Sequence, residues 1–165
     1  MALYPATPSH SGPQAGYRPC VGLMLVNRAG LLFIGERRGV LNAWQMPQGG
    51  IDPGEDPRAA AMRELHEEVG TDRAELVAES RYWYAYDLPP ELRPARWGGN
   101  YRGQSQKWFG FRFTGTDADI DIAGHEPEFV RWRWARPDEV LELAVDFKRP
   151  IYQAVLEELE DLVHV

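Results

Sequence analysis

Three glutamates, Glu64, Glu67 and Glu68, stand at i, i+3 and i+4 in the stretch Arg63-Glu64-Leu65-His66-Glu67-Glu68-Val69. On an α-helix that spacing gathers their carboxylates on one strip of surface. Like charges so placed repel by about a few tenths of a kcal/mol per pair, and no lysine or arginine follows Glu64 at i+4 to offset the repulsion. A divalent cation would. Mg²⁺ and Mn²⁺ bind through carboxylate and carbonyl oxygens and keep coordination positions open for phosphate and water. For an arbitrary trio of glutamates the plainer reading is a solvated acidic face.

The helix that must carry them is written in the sequence. Asp56 is a side-chain cap, Pro57 suits the first helical position, and Gly70 supplies the stop, so a helix is expected from about Pro57 to Val69. Ala61, Met62, Leu65 and Val69 fall on the neighbouring strip and are expected to be buried. Before the helix, Trp44-Gln45-Met46-Pro47-Gln48-Gly49-Gly50-Ile51 brings a paired glycine to the site, where backbone can approach a ligand closely. The carbonyl near Gly49 is thereby a further oxygen ligand to consider.

The rest of the chain reads as strands around this helix. Cys20 to Val26 is a continuous apolar run, Asn27 to Gly30 a turn, and Leu31 to Arg37 a second strand, together a possible hairpin. Ala74 to Asp87 alternates and is rich in aromatic residues. Gln106 to Phe113 and Phe129 to Trp134 alternate again, and Pro89 to Gly103 is a loop long enough to form a lip over a site. A short helix opens at Pro137, and Pro150 to Val163 is amphipathic through Ile151, Ala154, Val155, Leu159 and Leu162. Strands, a central helix and a terminal helix make a layered α/β sandwich with a mixed sheet.

With 165 residues, 44% of them hydrophobic and six tryptophans, the chain has the size and core for one domain, taken as residues 17–165. Residues 1–16, rich in Pro, Ser, Gly and Ala, are expected to be a flexible N-terminal tail. The net charge of −7 argues against a DNA-binding footprint or an anionic membrane surface. A polyphosphate would have to be held locally, by metal and a few basic side chains. A single cysteine and the lack of an apolar leader suggest a reducing compartment, the cytoplasm. The four histidines have no partner at ligand spacing and are read as structural or solvated.

The frame around the glutamates is more specific than the trio. Gly49, Glu55, Arg63-Glu64-Leu65, Glu67-Glu68 and Gly70 occur at the spacing of the Nudix signature, matching each fixed position except the last, where Thr71 replaces a larger aliphatic residue. The chain is therefore identified by resemblance as a Nudix hydrolase. Tyr17-Arg18-Pro19, Trp44 to Gly50, Gly103 to Phe109, Pro127-Glu128-Phe129 and Phe147 to Tyr152 resemble one branch of that family. It holds bacterial RNA 5′-pyrophosphohydrolases and dinucleoside tetraphosphate hydrolases, and Trp97 to Gln104 looks closest to the plant-like dinucleoside type.

That resemblance implies an α/β/α sandwich with a central mixed β-sheet, the Nudix fold. It implies that Glu64, Glu67, Glu68 and the Gly49 carbonyl bind two or three Mg²⁺ or Mn²⁺ ions, with Glu128 approaching the same metals or acting as base. Arg63 would orient a box carboxylate, so Glu67, Glu128 and Arg63 are the catalytic candidates. Arg18, Arg37, Arg38, Lys107 and Lys148 would contact phosphate, and Gln48, Tyr86 and Phe147 complete the substrate site. The substrate is expected to be a nucleoside polyphosphate, either a dinucleoside tetraphosphate or a triphosphorylated RNA 5′ end. The rival readings are a Nudix pyrophosphatase of other nucleotide specificity and a non-catalytic nucleotide-binding module.

Overall fold

Alternation along one strand decides the layers. In β2 (Arg18–Val26), Val21, Leu23 and Leu25 enter one apolar cluster while Met24 and Val26 enter another, so this strand supplies both faces of the sheet. The computed structural model describes residues 7–93, 97–124 and 126–164. The first cluster is closed by α1 (Pro57–Glu64) and the second by α2 (Pro137–Leu143) and α3 (Arg149–Glu158). The result is the expected α/β/α sandwich.

The remaining strands are β1 (Thr7–Ser9), β3 (Leu32–Arg37), β4 (Trp44–Gln45), β5 (Gln48–Gly50), β6 (Ala74–Asp87), β7 (Gly103–Phe113) and β8 (Phe129–Ala135). They form one sheet in the order β1-β6-β7-β2-β3-β4, with β5 paired to β2 and β8 to β3. β2 and β7 run parallel, from Arg18↔Gln104 to Val26↔Arg112, and the other pairings are antiparallel, so the sheet is mixed. Gly22 lies flat against the Trp108 indole, where an added Cβ would come within 2.3 Å of the ring. Tyr152 of α3 meets the same indole edge-on at 5.7 Å between centroids.

Several expectations change. From residue 7 onward the supposed tail belongs to the sheet: Thr7, Pro8 and Ser9 pair with Ala85, Tyr84 and Trp83, and the Gln14 amide donates to the Trp83 carbonyl at 3.1 Å. Exposed polar residues with no period of their own are held there by backbone pairing, which leaves little mark on composition. Residues 1–6 of that segment, and 94–96 of the lip, lie outside the described residues. The hairpin of β2 and β3 is closed by a single pair, Val26↔Leu32, and its turn is tied by the Asn27 carboxamide oxygen, which accepts from the backbone of Ala29 and Leu31. Beyond that turn β2 pairs with β5 and β7.

α1 begins as expected, with the Asp56 carboxylate accepting from the backbone of Arg58 and Ala59. It does not continue as α-helix to Val69. The chain widens into a π-helical turn over Leu65–Val69 and stops at Gly70, whose φ of 73° is left-handed. The buried stripe runs through Ala60, Ala61, Glu64, Leu65 and Val69, leaving Met62 42% exposed where burial was expected. α3 is shorter than its sequence pattern, which finishes in a single 3₁₀ turn at Glu160–Leu162. Among the described residues no helix is long and apolar enough to cross a membrane.

Gly22→Ala forces a methyl group into the Trp108 ring. It is expected to lower stability by about 1–3 kcal/mol, several degrees in a thermal melt; an unchanged melting temperature would show that the β2–β7 packing gives way easily.

Candidate active site

The acidic ridge is built on a close approach. Gly49 in β5 lies directly beneath Glu64, so that a Cβ at position 49 would fall 2.0 Å from the Glu64 carboxyl carbon. Glycine is required there by space. Glu64 itself belongs to the buried stripe of α1 and is 7% exposed. One residue later the π-helical turn begins, and it sends the next two carboxylates in different directions: Glu67 outward, Glu68 inward to accept from the Gln48 backbone N–H at 3.3 Å. Such turns interrupt the regular spacing of side chains and recur at functional sites.

Arg63 holds this arrangement. Its guanidinium donates to both oxygens of Glu55 at 2.9 Å, to the Gly50 carbonyl at 2.8 Å, to Glu64 at 2.8 Å and to Glu67 at 3.2 Å. One planar fork therefore ties the glycine strand, the loop before α1 and two carboxylates of the ridge together. The guanidinium beside Glu55 holds that carboxyl down to about 2. It also supplies part of the neutralisation that the i+4 position of Glu64 lacks.

Glu68 and Glu64 remain overcharged. Both carboxyl groups are held above the ordinary carboxylate range, in each case first by burial. Glu68 is raised further by the charges of Glu64 and Glu128, and the Glu64 and Glu68 carboxyls hydrogen-bond each other. Burial and mutual repulsion thus both favour the protonated form of this pair. Among the described residues no three acidic, histidine or cysteine side chains converge on one point at coordinating distance, because Arg63 occupies Glu64 and Glu67. The donors are nonetheless all oxygen, carry excess negative charge and border an open cavity, which fits a hard divalent cation.

Glu128 stands immediately before β8, the strand paired to β3. A register shift between Glu36 and Arg37 opposes β3 to β8, and the Arg38 backbone N–H donates to the Glu128 carbonyl at 2.8 Å. That places the Glu128 carboxylate 3.6 Å from the Arg37 guanidinium. Both line a cavity of about 690 Å³, together with Gly49, Glu64, Glu67 and Glu68.

The same cavity gathers most of the expected substrate residues: Arg18, Arg37, Gln48, Tyr86, Phe147 and Lys148. It gathers the carboxylates together with three cations, Arg18, Arg37 and Lys148. The Lys148 ammonium is buried and donates to the Gln45 carboxamide at 2.7 Å. Tyr86 is 2% exposed and stacked on Phe147 with ring centres 5.7 Å apart, so Phe147 is the more accessible ring. Two expected phosphate contacts are placed elsewhere. Lys107 lies outside the cavity lining, with its ammonium 3.5 Å from the Arg81 carbonyl, because its odd-numbered position in β7 turns it away from the face of Gln104 and Gln106. Arg38 meets the site through its backbone, and its exposed side chain is not part of the lining.

A NUDIX domain model matches residues 16–155. The chain belongs to the Nudix hydrolases. It is 57% identical over 152 residues to the RNA pyrophosphohydrolase of Erythrobacter litoralis, spanning 89% of this chain and 93% of that protein. It is 53% identical over 148 residues to the RNA pyrophosphohydrolase of Rickettsia conorii, spanning 89% and 92%. In fold it resembles the E. coli dihydroneopterin triphosphate pyrophosphohydrolase, with a TM-score of 0.68 and 19% identity over 88% of this chain and 98% of that one. A C. elegans Ap4A hydrolase gives 0.61 and 17% over 86% and 98%. This Nudix hydrolase is thus a pyrophosphohydrolase, an enzyme class that requires divalent metal ions.

The one departure of this Nudix hydrolase from the signature, Thr71, is 4% exposed, and its hydroxyl accepts from the Arg73 backbone at 3.0 Å, a packing and turn role remote from the carboxylates. Sequence reasoning missed Gln45, Gln104, His66 and Glu126, which also line the cavity. His66 was read as structural or solvated; it is exposed at the rim. The glutamines gave a weak signal, polar residues inside strand-like runs that need partners when buried.

Because the folded state raises the Glu68 pKa, it binds that proton more tightly than the unfolded chain, and stability without metal falls as pH rises past about 4.3 through the raised folded value. Glu68→Gln removes this contribution and leaves that of Glu64. Its metal-free melting temperature is expected to exceed that of the parent by a margin that grows as pH rises above about 4.3, and Mn²⁺ should stabilise it less. A constant margin in paired thermal melts would contradict the crowding.

Proposed function

We propose that this enzyme converts triphosphorylated RNA 5′ ends to monophosphorylated ends. The observation that carries the reading is the cavity itself, in which the acidic ridge and the cations Arg18, Arg37 and Lys148 line one space of about 690 Å³. The identity to RNA pyrophosphohydrolases over nearly the whole chain supports the same choice.

Glu64, Glu67, Glu68 and the Gly49 carbonyl would hold Mg²⁺ or Mn²⁺, as two or three ions. When bound, such ions screen the phosphoryl oxygens and acidify a coordinated water. This chain's residues supply the rest. Arg18, Arg37 and Lys148 bind phosphate oxygens, Phe147 offers a face to the first base, and Arg63 keeps Glu64 and Glu67 in place. Water attacks a phosphorus, the anhydride P–O bond breaks, and the leaving phosphate or pyrophosphate departs with the electron pair. The proton of the attacking water passes to the carboxylate of Glu67, with Glu128 supporting the site from the opposite wall. Lys107 and the Arg38 side chain have no part in this scheme. Bound to RNA 5′ ends and carrying one buried cysteine, the protein would act in the cytoplasm.

The dinucleoside tetraphosphate reading differs in its products, ATP and AMP where both bases are adenine, and shares the same chemistry. It draws on the branch resemblance common to both activities and, for the dinucleoside choice, on the Trp97 to Gln104 segment. With Mg²⁺ present, kcat/KM is expected to be higher for a triphosphorylated oligoribonucleotide than for diadenosine tetraphosphate, and the reverse ranking would favour the dinucleotide. Glu67→Gln is expected to lose at least about a hundredfold in kcat while melting like the parent. Near-parental turnover in saturating Mg²⁺ would remove Glu67 from the mechanism.

A further inference from the structure

Three glutamines of β5 and β7 are joined by hydrogen bonds, Gln48 and Gln104 at the cavity and Gln106 buried behind them, and their donors and acceptors can be assigned without ambiguity. The indole nitrogen of Trp108 can only donate, and it does so to the Gln106 carboxamide oxygen at 3.1 Å. Gln106 is therefore fixed with its NH₂ pointing the other way. That NH₂ donates to the carboxamide oxygens of Gln48 at 3.0 Å and Gln104 at 2.8 Å. Each of those oxygens is now committed as an acceptor, so the orientation of both amides is fixed in turn.

Gln48 uses its NH₂ within the protein. It donates to the Gln104 oxygen at 3.2 Å. The Gln104 NH₂ has no acceptor among the described residues. Gln104 is 5% exposed and lines the cavity, and no fully buried side-chain nitrogen or oxygen among the described residues lacks a partner. The nitrogen of Gln104 therefore meets solvent, and the cavity is where it does so. A buried donor without a partner in a preformed site is worth most when a ligand supplies the acceptor.

The neighbourhood selects the acceptor. In the parallel register Gln104 stands opposite Arg18, whose guanidinium packs over Gly50 beside the acidic ridge. Next to it Gln48 turns its backbone N–H to Glu68. A donor flanked by a phosphate-binding cation and by the metal-binding end of the cavity faces anionic oxygen. We propose that Gln104 is a substrate-binding residue whose NH₂, aimed by Trp108 through the positioning residue Gln106, donates to a phosphoryl oxygen of the polyphosphate chain. This rests on the reading that the cavity accepts a nucleoside polyphosphate.

The test uses the whole unaltered protein first. The ¹⁵N-labelled side-chain NH₂ pair of Gln104, assigned by its disappearance in Gln104→Met, is followed while inorganic tripolyphosphate or guanosine is added. Tripolyphosphate is expected to move the pair and guanosine to leave it in place. Movement with guanosine alone would overturn the proposal in favour of a base contact. A stationary pair in a protein that cleaves triphosphorylated RNA would overturn it while the proposed function stands. A protein that neither cleaves nor binds polyphosphate would remove both. In kinetics, Gln104→Met and Gln106→Met are each expected to raise KM about tenfold with kcat within about threefold. An unchanged KM in Gln104→Met would overturn the assignment, and an unchanged KM in Gln106→Met would overturn the relay.

Discussion

The site depends on carboxylates being brought closer than their charges favour. Glu64 sits on the backbone of Gly49, and Glu68 turns inward beside it, so burial and mutual repulsion act on the same two groups. Both carboxyls are held above the ordinary carboxylate range. A positive charge brought between them would relieve the crowding, so the arrangement fits a hard divalent cation. Arg63 makes the crowding tolerable. It holds Glu64 and Glu67, is itself anchored by Glu55 and the Gly50 carbonyl, and lies outside the cavity lining.

The sheet supplies what the helix cannot. β2 lies between β5 and the parallel β7, so Arg18, Gln48, Gly49 and Gln104 reach one wall from three strands far apart in sequence. β3 and β8 bring Arg37 and Glu128 to another, where the register shift sets the two side by side. α3 adds Phe147 and Lys148 just ahead of its first turn. Two apolar clusters on opposite faces of the sheet fix these strands, and Trp108 joins one of them to the polar wall through its indole nitrogen.

The catalytic helix was legible because its signals are local. A cap at Asp56, a stop at Gly70 and glutamates at fixed spacing all lie within one short segment, and the cap and the stop have the roles their chemistry suggests. The π-helical turn was not legible, since nothing in Leu65 to Val69 departs from good α-helical composition. Packing of Leu65 and Val69 against the sheet and the seat of Glu64 on Gly49 impose it from outside. Lys107 shows the opposite failure. Gln104, three residues before it, lines the site, but a strand turns alternate residues to opposite faces, and only the pairing of β7 with β2 and β6 decides which face meets the cavity. The edge strand at Thr7 to Ser9 escaped notice because its stabilisation comes from β6 backbone groups, whatever its own side chains are.

Residue types and spacing alone therefore determined the family, the layered α/β class, the acidic ridge and the hydrolytic chemistry, because all of these are carried by short-range patterns. Tertiary structure decided which cations share the cavity with that ridge, that Arg63 bridges carboxylates on both sides of the helix start, and that three glutamines align into one directed chain of hydrogen bonds. Those outcomes turn on distances between segments up to about a hundred residues apart, as between Gln45 and Lys148, and on the hand of each strand's faces, neither of which a linear sequence specifies by itself.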